Sequence, residues 1–168
     1  MSPTICSLTI RRAEPKDAAA IFDLIRQLAV YERLLHEVTA SDADITATLF
    51  DDQPRVFCDI AEWNGETAGF ALWFYNYSTF LGRHGLYLED LFVRQEFREH
   101  GIGKALLRHL AQRCLTEKLG RFEWSVLDWN QPAIDFYEKH GAILRKEWIG
   151  CRLTGEALEA LAKGSDSP

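Results

Sequence analysis

Two chemical features stand next to each other between residues 86 and 103. Leu86-Tyr87-Leu88-Glu89-Asp90-Leu91-Phe92-Val93 reads as a buried strand interrupted by two carboxylates. A carboxylate in an apolar run is costly unless it meets a cation, a hydrogen-bond donor or a proton. A polar connection then leads to Arg98-Glu99-His100-Gly101-Ile102-Gly103, and a helical pattern follows. A glycine-rich turn that feeds a helix N-terminus aims several free N–H groups at one point. Glycine also permits positive φ angles and close backbone approach, so the combination suits a phosphate. Two better-known phosphate loops fail here. A dinucleotide fingerprint needs glycine at position 106, which is Leu106, and a Walker loop needs glycine at 98 and Ser or Thr at 105, which are Arg98 and Ala105. Taken alone, Gly101 and Gly103 would serve equally well as a turn that lets the helix pack closely.

Adjacent strand residues point to opposite faces, so Glu89 and Asp90 can line one cleft only if a bulge intervenes. Each would otherwise pair with an Arg or Lys. Phe136-Tyr137 lies on a helical stretch after Asn130 and Pro132; the phenol is a competent proton donor, and the two rings would also serve as a packing pair. Asn130 fits a helix N-cap or an amide aimed at a ligand. The five histidines, His36, His84, His100, His109 and His140, have no metal-ligand spacing among themselves or with cysteine, so no metal site is expected. Cys6, Cys58, Cys114 and Cys151 form no short pair, and Cys114 falls on the apolar stripe of its helix. Nucleophilic catalysis by a cysteine is therefore disfavoured.

The elements that must hold these groups follow from periodicity. A strand is expected at 5–12, and Glu14-Pro15 opens a helix whose apolar stripe, Ala18, Ile21, Phe22, Ile25, Leu28 and Ala29, runs to about Tyr31. A short helix from Ser41 to Phe50 has Ser41 as N-cap. Asn64-Gly65 marks a hairpin between strands at 55–62 and 67–77. A strand at 86–93, a helix at 103–118, a strand at 121–128, a helix from Asn130 to His140 stopped by Gly141, a strand at 143–152 and a helix at 155–163 complete the pattern. A polar Gly-Ser-Asp-Ser-Pro tail closes the chain from residue 164. The reading is one α/β domain over residues 1–168.

Composition narrows the partners. The chain has 168 residues, 19 basic and 25 acidic, with a net charge of −6, and 47% of it is hydrophobic. An acidic chain of this size suits one folded domain, argues against nucleic-acid binding and favours a cationic partner. No stretch reaches the length of a membrane helix, and Met1 to Cys6 lacks the basic end and apolar run of a secretory leader. With its scattered cysteines, the chain reads as cytoplasmic.

Arg98 to Gly103 after a strand ending in Val93 resembles the acyl-coenzyme-A loop of the GNAT acyltransferase superfamily. The resemblance extends in order through Leu28-Ala29-Val30-Tyr31-Glu32, Tyr87 to Val93, Asp128-Trp129-Asn130-Gln131-Pro132, Phe136-Tyr137 and Gly141-Ala142, over about residues 5–150. These segments are similar to the spermidine/spermine and thialysine N-acetyltransferase branch. Ser78 and Phe80 depart from the acidic residue and tryptophan common in the spermidine/spermine enzymes, which favours the thialysine side.

The resemblance implies a mixed, mostly antiparallel twisted sheet of six to seven strands, splayed between the strands at about 86–93 and 121–128. It implies acetyl-CoA as co-substrate, held by Leu91, Phe92, Val93, Arg98, Glu99, His100, Gly101, Ile102, Gly103, Lys104, Asn130 and Tyr137. The acceptor would be a small cationic primary amine, bound by Tyr31, Glu32, Asp90 and Glu89. An alkylamine has a pKa near 10.4, so on the order of one molecule in a thousand carries a free lone pair at neutral pH. Glu89 would take the proton through water, Tyr137 would return one to the thiolate, and a backbone N–H near Leu91 or Val93 would polarise the thioester. Transfer would be direct, within one ternary complex. Protein or peptide N-acetylation and a non-catalytic acetyl-CoA sensor are the competing readings. A homodimer is also implied, with Trp148, Ile149, Cys151 and Leu153 on an exchanged or shared strand.

Overall fold

A computed structural model describes residues 7–164. Cys6 and the tail beyond Gly164 lie outside the described residues. The elements run β1 (Leu8–Arg12), α1 (Ala18–Tyr31), α2 (Asp42–Leu49), β2 (Phe57–Trp63), β3 (Glu66–Ser78), β4 (Arg83–Val93), α3 (Ile102–Thr116), β5 (Phe122–Trp124), α4 (Gln131–Lys139) and α5 (Gly155–Ala162). They fall into two compact units, one through Leu127 and the other from Asp128. The first contains the whole sheet, ordered β1-β2-β3-β4-β5; the first four strands pair antiparallel in turn, and β4 pairs β5 in parallel.

Local chemistry accounts for the boundaries. Pro15 starts a short 3-10 turn, and Asp17 at its end bonds the Glu14 N–H at 2.8 Å and accepts two bonds from the Arg11 guanidinium at 2.7 and 2.9 Å. Ser41 and Asp44 exchange bonds as a capping box at the start of α2. Asn64 and Gly65, both at positive φ (52° and 84°), make the tight turn between β2 and β3. Gly141 at φ 89° follows α4.

Two corrections concern strands. The sheet has five strands rather than six or seven, and β5 covers three residues of the expected 121–128. Residues 143–152 form no strand. Ladder hydrogen bonds need a neighbouring edge, and among residues 128–164 no other extended segment offers one. Ile143, Trp148 and Ile149 there are 83%, 71% and 87% exposed.

The sheet is buried on both faces. On one, Ile21, Leu24 and Leu28 of α1 pack with Leu49 of α2 on Cys58, Ile60, Phe70, Leu72 and Phe92. On the other, α3 contributes Ile102, Leu106 and Leu110, all fully buried, and the Arg113 guanidinium stands 4.9 Å from the Trp73 ring. Asp59 of β2 is sealed between the layers, accepting a 2.7 Å bond from the Trp73 indole N–H, with His109 Nε2 of α3 at 3.8 Å. The donor answers the carboxylate's need for a partner.

Gly69 of β3 lies opposite Val93, and a Cβ there would sit 2.5 Å from the Phe92 carbonyl oxygen and 3.2 Å from Val93 Cα. Both obstacles are backbone. Gly69→Ala is expected to destabilise the fold by about 1–3 kcal/mol, read as a lower urea midpoint.

Candidate active site

The register of β3 and β4 contains one irregularity. Leu72 pairs with Asp90 and Trp73 with Leu88, so Glu89 is an extra residue in β4. The insertion reverses the alternation. Leu88 lies opposite Trp73, on the α3 face, and an unbroken strand would have put Asp90 there too. Asp90 instead lies opposite Leu72, whose side chain belongs to the α1 core. The bulge that would let both carboxylates serve one site is therefore present.

The groups collected on that side are those the sequence singles out for the amine. Tyr31 ends α1 and Glu32 is its C-cap. Burial, then the charge of Glu89, then that of Glu32 push the Asp90 carboxyl up to about 7. Burial also raises the Glu32 carboxyl above its ordinary value. Neither group is relieved by a cation, and the C-terminal end of α1 adds partial negative charge. Arg98 places its guanidinium 5.0 Å from the Tyr31 ring and 5.6 Å from the Phe92 ring, while its Nε donates to the Val93 carbonyl at 3.1 Å. The structure thus brings Tyr31, Glu32, Glu89, Asp90, Phe92 and Arg98 together.

A second feature adjoins them. β5 pairs with β4 only from Leu86 to Leu88, so Glu89 to Val93 have no strand partner on that side among the described residues. The Arg94 N–H donates to the Ala68 carbonyl across β3. By antiparallel alternation the N–H and C=O of Leu91 and Val93 point the other way, to the open edge. The Val93 carbonyl meets Arg98 there. Beyond it, Gly101 at φ 75° caps α3 without any side-chain bond, so the N–H groups of Ile102, Gly103 and Lys104 have no intrahelical acceptor. Ile102 offers only that N–H, since its side chain is buried. Glu99 adopts φ 69°, unusual for a non-glycine residue, and His100 Nδ1 lies 2.9 Å from the Arg98 carbonyl. The open edge and the unfilled helix terminus fit an amide-containing arm ending in a diphosphate.

Asn130 and Tyr137 belong to the second unit. The Asn130 side chain accepts from the Ala133 N–H at 3.4 Å as N-cap of α4, and the Phe136 and Tyr137 ring centroids are 5.4 Å apart. Among the cysteines, burial pushes the Cys58 thiol far up, and burial followed by Glu117 takes Cys114 up to about 11. Neither is a ready thiolate nucleophile. No group of three potential metal ligands occurs among the described residues. Phe92 as the second ring under Arg98, and the Asp59–Trp73 bond, were not foreseen. Asp59 carried the same signal as Glu89 and Asp90, a carboxylate inside an apolar run, Phe57-Cys58-Asp59-Ile60-Ala61.

A strand with a bulge and an open edge, feeding a glycine-capped helix, is a scaffold suited to an acyl-coenzyme-A-dependent transferase. Residues 19–142 match the model of the acetyltransferase (GNAT) family, and the chain belongs to that family. It is an acetyltransferase that uses acetyl-CoA. It is 36% identical to an L-ornithine N5-acetyltransferase of Arabidopsis thaliana, over 92% of this chain and 87% of that one. It is also 36% identical to the thialysine N-epsilon-acetyltransferase of Sus scrofa, over 94% and 99%. Among solved structures, an integron cassette protein from V. cholerae superposes with a TM-score of 0.78 at 28% identity, covering 94% of this chain and 98% of that one. An aminoglycoside N-acetyltransferase in complex with CoA shares the fold, with a TM-score of 0.72 at 19% identity over 91% and 99%.

A carboxyl with a raised native pKa holds its proton more tightly in the folded chain, so its stabilising contribution is complete below the unfolded value near 3.9 and is lost as pH rises through about 7. Asp90→Asn removes that loss. The variant is expected to gain about 1–2 kcal/mol over the native chain at pH 8, after allowance for partial solvent screening, and to converge with it near pH 4. Thermal denaturation across pH measures this.

Proposed function

We propose that the enzyme acetylates a primary amine of a small cationic acceptor, with a thialysine-like or ornithine-like amino acid or a diamine as the substrate class. The observation that carries this reading is the bulge at Glu89, which gathers Glu32, Glu89 and Asp90 around Tyr31 beside the open edge of β4. An ammonium supplies what the cluster lacks: it would lower the Asp90 pKa and allow both carboxyls to ionise. The relatives named for thialysine N-epsilon and L-ornithine N5 acetylation support the substrate class.

In this mechanism Tyr31, Glu32 and Asp90 hold the ammonium chain, and Glu89 removes the proton of the reacting amine through water. Acetyl-CoA supplies the thioester carbon that the amine attacks directly. The N–H groups of Leu91 and Val93 face the developing oxyanion, and Phe92 supports them from the core. As the C–S bond breaks, Tyr137 gives its proton to the sulfur. Arg98, Glu99, His100, Gly101, Ile102, Gly103 and Lys104 receive the diphosphate, chiefly through backbone N–H groups, and Asn130 orients the arm. Residues 1–168 act as one catalytic domain, since the family match from 19 to 142 crosses the boundary between the two units. The free thiols Cys58, Cys114 and Cys151 suit a cytoplasmic setting.

The exposed apolar residues Ile143, Trp148 and Ile149 favour a homodimer, in which a second copy covers the segment 143–152. Sedimentation equilibrium is expected to give twice the mass of the chain, and Trp148→Glu with Ile149→Glu to give the monomer.

Release of free CoA against thialysine, ornithine, diamines, polyamines and a basic peptide tests the substrate class. Turnover with the small amines is expected, and a preference for the peptide would overturn the reading. Glu89→Gln is expected to lower kcat about 10²- to 10³-fold with little change in the acetyl-CoA KM. Glu32→Gln should raise the amine KM while sparing that of acetyl-CoA.

A further inference from the structure

Arg98 engages both halves of the site at once. Its Nε holds the Val93 carbonyl, on the edge proposed for the coenzyme arm, and its guanidinium covers the Tyr31 ring, the face proposed for the ammonium. Phe92, 5.6 Å away, forms a second aromatic wall. A guanidinium at 5.0 Å from a ring centroid occupies the position a substrate cation would take, and one aromatic face does not serve two cations. The Val93 carbonyl keeps a second lone pair, so the competition that matters is the one for the Tyr31 ring. The two contacts belong to one side chain, so displacing it from either weakens the other.

From this we infer that Arg98 is a built-in competitor for the amine site and couples it to the coenzyme site. The inference rests on the amine-site reading above. The diphosphate of acetyl-CoA at the α3 terminus offers the guanidinium a stronger, charge-assisted partner than the Tyr31 ring. Arg98 then leaves Tyr31, and the ring becomes available to the ammonium of the acceptor. Coenzyme binding therefore raises amine affinity, and by linkage the amine raises coenzyme affinity by the same factor. No movement of the sheet or helices is required. The device also explains why an arginine suits this position: its planar group can stack on two rings and bond a carbonyl simultaneously, which an ammonium does less well.

Calorimetry with thialysine as probe, in the presence and absence of saturating unacetylated CoA, tests the coupling without turnover. CoA is expected to tighten thialysine binding to the native enzyme about 3- to 10-fold, the range of one cation–π contact. Arg98→Gln should bind thialysine more tightly than the native enzyme by a similar factor without CoA, and CoA should add nothing further. If that variant does not fold, Arg98→Lys carries the same test with a smaller effect of the same sign. Equal affinity of the native enzyme with and without CoA, or no tightening in the variant, overturns the inference. Glu32→Gln and Asp90→Asn separate the two readings: if neither weakens thialysine binding, the amine-site reading fails; if they weaken it and Arg98→Gln does not tighten it, only the role of Arg98 falls.

Discussion

One inserted residue in a central strand decides which side chains of this protein share a face. β4 is paired to β3 along its length, and the bulge at Glu89 changes which face each later residue presents. Before it, Leu86 and Leu88 are buried on the α3 side; after it, Asp90 and Phe92 lie on the α1 side. The same short stretch marks the end of the β5 ladder. Two carboxylates and a row of backbone groups without a strand partner among the described residues thereby fall within five residues. Bulges beside active sites are used in this way because they aim side chains without altering the rest of a sheet.

Such a site is expensive for the fold. Burial and like charge hold the Asp90 carboxyl near neutrality, Glu32 is desolvated at the electronegative end of α1, and Glu99 occupies left-handed backbone space. These features oppose stability, and the proposed function accounts for them together, with a cation on one side and a diphosphate on the other. The opposing contributions come from ordinary packing: Ile21, Leu24, Phe70 and Phe92 on one face, Leu106, Leu110 and Trp73 on the other. Asp59 shows the contrast. It is more deeply buried than Asp90, yet it has the Trp73 indole as donor. A satisfied carboxylate holds layers together, whereas the proposed function gives Asp90, beside two further carboxylates, an ammonium as its partner.

Much of the architecture was legible before any coordinates. Ser41, the Asn64-Gly65 turn, Asn130 before α4 and Gly141 after it each specify a local conformation by short-range chemistry, and the structure places boundaries within a few residues of them. The apolar stripe of α1 foretold its buried face for the same reason. The strand expected at 143–152 is absent because alternation reports what a segment could bury, not whether it pairs with a neighbouring edge. β5 was read too long on the same grounds.

The site divides along the same line. Composition and local pattern by themselves determined that a glycine-rich turn precedes α3, that two carboxylates interrupt a buried strand, and that Tyr31 and Glu32 close a helix, because each depends on neighbours a few residues away. Only the tertiary structure decided that Glu89 would be the bulged residue, that α1 would deliver Glu32 to Asp90, and that Arg98 would reach across 67 positions of chain to lie on Tyr31. Those outcomes depend on strand register and on which helix covers which face, and both are settled by the packing of the whole core.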